Sequence, residues 1–278
     1  MAPSPSVLVP ATLFTIMFAL GVGLPLDGFS RWQQQRGVLL RGLLGTCVLV
    51  PLAAVALLLW PATLSLSQPA RFAIALMAVS PSAPLLLRKA GKQGGDRSLA
   101  ALLQVGAALV AILITRIFGV SGWAIEARHV AGQVALAQLV PLLLGLLLRR
   151  FAPQWASRLE APLDRIANVL LLLLVLVVLA KTAPLLTTYV GANLVALPVM
   201  GALVLISLAL GYGLADRDPQ QRVTLALVTS MRNPGLALLL AGTYAPEVPA
   251  VKLGILKYLL ITVLLSIPFL HWQRLRQA

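Results

Sequence analysis

Acid is what this chain has least of. It carries 8 aspartates and glutamates against 22 lysines and arginines, and 11% of its 278 residues are charged. A soluble domain averages about 25%. With 59% hydrophobic residues and a mean hydropathy of +0.93, the chain belongs in a bilayer. Cysteine is reduced to Cys47, inside an apolar run, which excludes a disulfide framework and a cysteine metal site. The two histidines, His129 and His271, stand at the edges of apolar runs and suggest no metal site. The first apolar run, residues 7–25, has no basic segment before it and reads as an uncleaved span, not a signal peptide. The net charge of +14 does not imply nucleic acid, because the basic residues are scattered between apolar runs with no soluble domain to form a groove. A membrane enzyme would need a nucleophile with its base, paired carboxylates or a metal cluster within the spans, and none appears.

What is present is apolar length. A hydrocarbon core of about 30 Å takes about 20 residues of helix. Nine windows fit: 7–26, 37–60, 70–88, 98–118, 130–148, 163–183, 190–214, 222–243 and 250–270. The links between them, such as DGFSRWQQQR, RKAGKQGGDR, RRFAPQWASRLEAPLDR and DRDPQQR, are short and polar. The expected architecture is an all-α membrane protein of nine transmembrane helices in a single domain, residues 1–278. Counted on alternate links, basic residues number fifteen on one side and six on the other. The positive-inside bias then puts the N-terminus outside and the C-terminus in the cytoplasm of a multi-pass plasma-membrane protein. Trp60, Trp123, Trp155 and Trp272 fall near span ends, where an aromatic belt belongs. Arg88, Lys89 and Lys92 read as anchors to lipid headgroups.

Two windows are interrupted. The third contains SPSAP, with Pro81 and Pro84 in mid-span, and the eighth contains MRNPG, with Pro234 and Gly235. Proline removes a backbone donor and clashes with the preceding turn, so each span should break there. A break inside lipid is tolerated only where protein or a water-filled cavity surrounds it. The two breaks are five spans apart, which gives them opposite directions, as an inverted repeat requires. The repeats run from about 7–118 and from about 130–270. Paired broken helices in matching halves point to a transporter site at the membrane midplane. They also argue against a channel.

LFTIMFALGVGLPLDGF, GLLGTCVLVPLAAVALLL, SPSAPLLLRKAGKQGGDRSLA and TSMRNPGLALLLA, in that order, resemble the bile acid:sodium symporter family. The resemblance implies a panel domain and a core domain in which two broken helices cross. It further implies transport of small organic anions by alternating access, usually by symport with sodium. The departures are informative. The family's glutamate on the second crossing helix falls at Val228 and its glutamine at Arg232, while Asn233 keeps the asparagine. The family's serine and asparagine after the first crossing motif fall near Leu86 and Leu87, and its hydroxyls on the next helix near Gln104, Gly106 and Ala107. A glutamine or asparagine common before Pro51 falls at Thr46. Asp27, Asp96, Glu126, Glu160, Asp164, Asp216, Asp218 and Glu247 all lie in links or at span ends, so no mid-span acid replaces these ligands. The family's sodium is therefore the one cofactor the resemblance suggests, and its usual side-chain ligands are largely replaced. An export carrier of the auxin-efflux type, with the same crossed helices and no sodium glutamate, is the alternative.

Arg232 is the leading site residue. An arginine at the bilayer centre is costly and should face a cavity and a partner. Two partners are open to it: carbonyls freed at the breaks, or an anion gripped by its planar fork. Asn233 can contact substrate or cap the second half-helix, with Pro234 at the first helical position and Gly235 allowing close backbone approach. Ser80 and Ser82 can serve the first break or bond back to their own helix. Thr46 and Gln104 can bond between helices or touch substrate. The expected partners are a small organic anion and membrane lipid, with no nucleic acid. Self-association into a homo-oligomer is left open.

Overall fold

The computed structural model describes residues 5–24, 32–83, 95–118, 132, 135–185 and 194–277. Among these, all regular structure is helical except one isolated antiparallel bridge. The helices are α1 (Pro5–Val22), α2 (Trp32–Leu44), α3 (Val50–Leu59), α4 (Gln68–Val79) and α5 (Arg97–Phe118). They continue with α6 (Val140–Phe151), α7 (Pro153–Thr182), α8 (Ala196–Leu214), α9 (Pro219–Ser230), α10 (Pro234–Tyr244) and α11 (Pro249–Gln277). Two π-helical bulges, Gly45–Leu49 and Ala135–Leu139, lead directly into α3 and α6.

Among the described residues, four stretches are long and apolar enough to cross a membrane by length and composition: Gln35–Leu59, Pro153–Thr182, Ala196–Leu214 and Pro249–Arg276. Shorter apolar helices, α4 and α10 among them, pack between these. The outward faces are apolar as well. Val169, Leu172 and Leu176 of α7 and Leu260, Leu264 and Ile267 of α11 are exposed, which suits lipid and not water.

Proline starts helices here more often than it stops them. α9 opens on Pro219 with the Asp218 carboxylate accepting from the Gln220 N–H at 3.0 Å, and α10 opens on Pro234 behind Asn233. At the first helical position the missing N–H costs nothing. The charged stretch 149–165, expected as a link, is helical apart from Ala152. Pro153 restarts the helix, and Pro162 is carried inside α7 without ending it. Window 70–88 is helical only to Val79, and Pro84, Leu86 and Leu87 lie outside the described residues. Window 222–243 is divided between α9 and α10, with Met231 to Asn233 extended between them.

Glycine sets the closest approaches. A Cβ at Gly145 of α6 would come within 2.8 Å of the Val22 N atom and 2.9 Å of the Gly21 Cα, so only glycine lets α6 lie on α1. Gly211 of α8 does the same against Ala226 on α9, where a Cβ would stand 2.6 Å from the Ala226 Cα. α1 also packs along α7, while α4, α10 and α11 pack together around a large apolar cluster that includes Phe72, Leu76, Leu236, Leu240 and Ile255. These contacts bring the ends of α4 and α9 to the same place.

Candidate functional site

The chain leaves α4 at Ser80 and α9 at Met231, and the two extended segments then pair. The Ala83 N–H donates to the Met231 carbonyl at 2.7 Å, and the Asn233 N–H donates to the Pro81 carbonyl at 2.8 Å. Ser82 stands opposite Arg232 in this antiparallel bridge. Backbone groups released by the breaks therefore satisfy one another, as a low-dielectric setting demands. The Ser82 hydroxyl adds a bond to the Val228 carbonyl at 2.7 Å, tying the first break to the end of α9. Ser80 instead donates back to Leu76 at 2.7 Å, within its own helix.

Arg232 is buried, with 2% of its surface exposed. Its Nε donates to the Met77 carbonyl at 3.1 Å and its Nη2 to the Ala78 carbonyl. Both are last-turn carbonyls of α4, orphaned because the chain turns away at Ser80 and Pro81 has no N–H. Nη1 donates to the Thr46 carbonyl at 3.0 Å and reaches the Thr229 carbonyl at 3.5 Å. The first bulge explains why Thr46 has a carbonyl to offer. The Val50 N–H skips one residue and bonds to Gly45, while the next candidate donor, at Pro51, does not exist. The guanidinium thus fills an oxygen-lined niche built from α4, α9 and the first bulge. The described ion pairs lie elsewhere: Arg41 with Asp216 at 2.7 Å and Arg149 with Glu160 at 3.8 Å.

Asn233 caps α10, its Oδ1 accepting from the Leu236 N–H at 3.2 Å. Among the described residues its Nδ2 has no partner, and neither does the Thr46 hydroxyl. The buried phenol of Tyr258, on α11, is likewise unpaired and lies within electrostatic reach of Arg232, as does Cys47. At Gly235 the nearest approach is by a side chain. A Cβ there would meet the Leu13 side chain at 2.7 Å, so the glycine makes room for α1. Gln104 is buried, and among the described residues neither of its amide atoms has a partner; of its neighbours one turn earlier, Ala101 packs with α1 and α6 and Ala100 with Ala83, Val228 and Met231.

Sequence reasoning missed Tyr258 and Gln138, a buried glutamine of the second bulge whose amide atoms are also unpaired. The readable signal for Gln138 was an amide in an otherwise apolar run just before Leu139, Val140 and Pro141. Among the described residues, no group of three His, Cys, Asp or Glu side chains could hold a metal ion.

The structure is that of a helical membrane protein in which two extended segments, 80–83 and 231–233, pair where α4 and α9 end. The family model described as Sodium Bile acid symporter family matches residues 10–189, a stretch that includes the first break and both bulges. The chain belongs to the sodium bile acid symporter family, and hence to a family of membrane transporters. The second break, with Arg232, lies beyond the matched stretch. No curated protein sequence matches the chain.

Proposed function

We propose that this protein is a secondary transporter of small organic anions, working by alternating access without the family's usual sodium ligands. In this reading α1, α6 and α7 form the panel and the remaining helices form the core. The two interrupted helices cross where Ser82 pairs with Arg232. The N-terminus is outside the plasma membrane, and the C-terminus, with Arg274 and Arg276, is cytoplasmic.

One observation carries the reading. The Arg232 guanidinium holds the carbonyls of Met77, Ala78, Thr46 and Thr229, with no carboxylate among its hydrogen-bond partners. Carbonyl oxygens converging at a broken helix end suit a hard cation, and here the cation is covalently attached. A fixed charge in that niche makes a mobile sodium ion redundant and leaves the site net positive. Donors stand around it with nothing to donate to: the Thr46 hydroxyl, the Asn233 amide nitrogen and the Tyr258 phenol. The N-terminus of α10 adds its dipole. A carboxylate or sulfonate answers all of these, with Arg232 attracting it by charge while its fork stays on the backbone.

The test is thermal unfolding of the purified full-length protein in detergent against a panel of carboxylates and sulfonates, in sodium and in choline. One or more anions should raise the melting temperature equally in both media. Stabilisation that appears only with sodium, or with no anion at all, would refute the proposal.

A further inference from the structure

We infer that Gln104 and Gln138 form a subsite for an uncharged hydrogen-bonding group, a hydroxyl or an amide, on the transported anion. The inference rests on the anion-transport reading above and concerns a different set of side chains. Both glutamines are completely buried, and among the described residues none of their four amide atoms has a partner. Buried polar groups are nearly always paired, so two unpaired amides in an apolar bundle call for an occupant. Leucine would suit either position better if packing were the only demand.

The fold brings the two to one interface. Gln104 shares a face of α5 with Ala101, which packs with Met17 and Leu20 of α1 and Leu142 of α6. Gln138 precedes Leu142 by about one turn, and its bulge packs against both α1 and α5. α1 and α6 run in the same direction. Gly145 of α6 lies on Gly21 near the end of α1, and the second bulge, earlier in the chain than Gly145 by about two turns, also packs on α1. Gln138 therefore stands near the level of Leu13, the side chain that Gly235 makes room for beside Asn233. Gln138 stands beside α1 at the depth of the breaks, and its bulge packs on α5. Ala100, one turn before Gln104, belongs with Leu99 and Leu103 to the cluster with Ala83, Val228 and Met231, so Gln104 stands where the two clusters meet.

The second bulge adds an acceptor. Pro141 brings no N–H, so a carbonyl in the turn that contains Gln138 loses its helical donor. Two amides can each give and take a hydrogen bond, and a carbonyl can take one. A hydroxyl or amide, which also does both, matches this set, whereas a second carboxylate would find no charge there.

Matched carboxylates that differ by one polar group provide the test: butyrate against 2-hydroxybutyrate, and succinate against malate. Apparent affinities are read from concentration-dependent thermal shifts of the full-length protein. The hydroxylated member of each pair should bind about fivefold tighter, the usual worth of one added hydrogen bond. In Gln138→Met and Gln104→Met, which keep the volume and lose the amide, this preference should vanish while the unsubstituted acid binds as before. Equal binding of both members to the wild type overturns the inference but leaves the anion reading intact. So does a preference that survives in both variants. Binding of none of the acids overturns the two together.

Discussion

The two bulges begin from the same device and end differently. Each places Leu-Val-Pro at the exit of a π turn: Leu49, Val50 and Pro51 in one, Leu139, Val140 and Pro141 in the other. At the first, the freed Thr46 carbonyl is taken by Arg232 of another helix. At the second, Gln138 has no side-chain hydrogen-bond partner among the described residues, and Gln104 on the neighbouring helix has none either. A filled defect is a structural joint, and removing its partner must destabilise. An unfilled defect already costs the resting protein, and removing it must stabilise. Substitutions at the two sites should therefore move stability in opposite directions.

The largest effect is expected at Arg232. Arg232→Met leaves four carbonyls without their donor in a low-dielectric setting and should cost about 3 kcal/mol or more of unfolding free energy, read by thermal or denaturant unfolding in detergent. Arg232→Gln removes the charge and restores the residue that the family resemblance places there. It should lose stability in choline and recover part of it in sodium, because the emptied carbonyl niche can then accept the ion. A variant that ignores sodium would separate the niche from any cation site.

Next come the glutamines, with the opposite sign. Gln138→Met and Gln104→Met should each raise stability by about 1–2 kcal/mol, the cost of a buried orphan polar group. A loss of that size would mean the amides are structural and the comparison fails. Asn233→Ala, which removes the cap of α10, should cost about 1 kcal/mol. The prolines give the finest contrast. Pro141→Ala restores a helical donor to a carbonyl with no competitor and should stabilise by about 1 kcal/mol or less. Pro51→Ala offers that donor where Arg232 already serves and should gain less.

Much of this was legible in the sequence. Proline clusters in the third and eighth windows marked both interruptions, and Asn233 followed by Pro234 marked the start of α10, because a cap followed by proline is a local rule. Carbonyls freed at the breaks were one of the two partners open to Arg232, but which carbonyls it takes was not legible. Its partners lie about 150 residues or more away in the chain at Met77, Ala78 and Thr46, and one of them exists only because a π turn displaces a hydrogen bond. Apolar periodicity gives no sign of such a turn. Gln138 escaped for the same reason, since an isolated amide in a hydrophobic run acquires meaning only when its neighbours are known. The Leu13 side chain beside Gly235 was not legible either, because spacing along a helix says that a backbone is approached, but not by what.

The account turns on whether Arg232 has replaced the mobile cation. The most direct measurement is uptake by the wild-type protein in proteoliposomes, using the carboxylate that stabilises it best, with choline substituted for sodium at constant ionic strength. The account predicts the same initial rate in both media. A collapse of uptake when sodium is withdrawn would contradict it, and the carbonyls around the breaks would then have to serve an ion that Arg232 does not exclude.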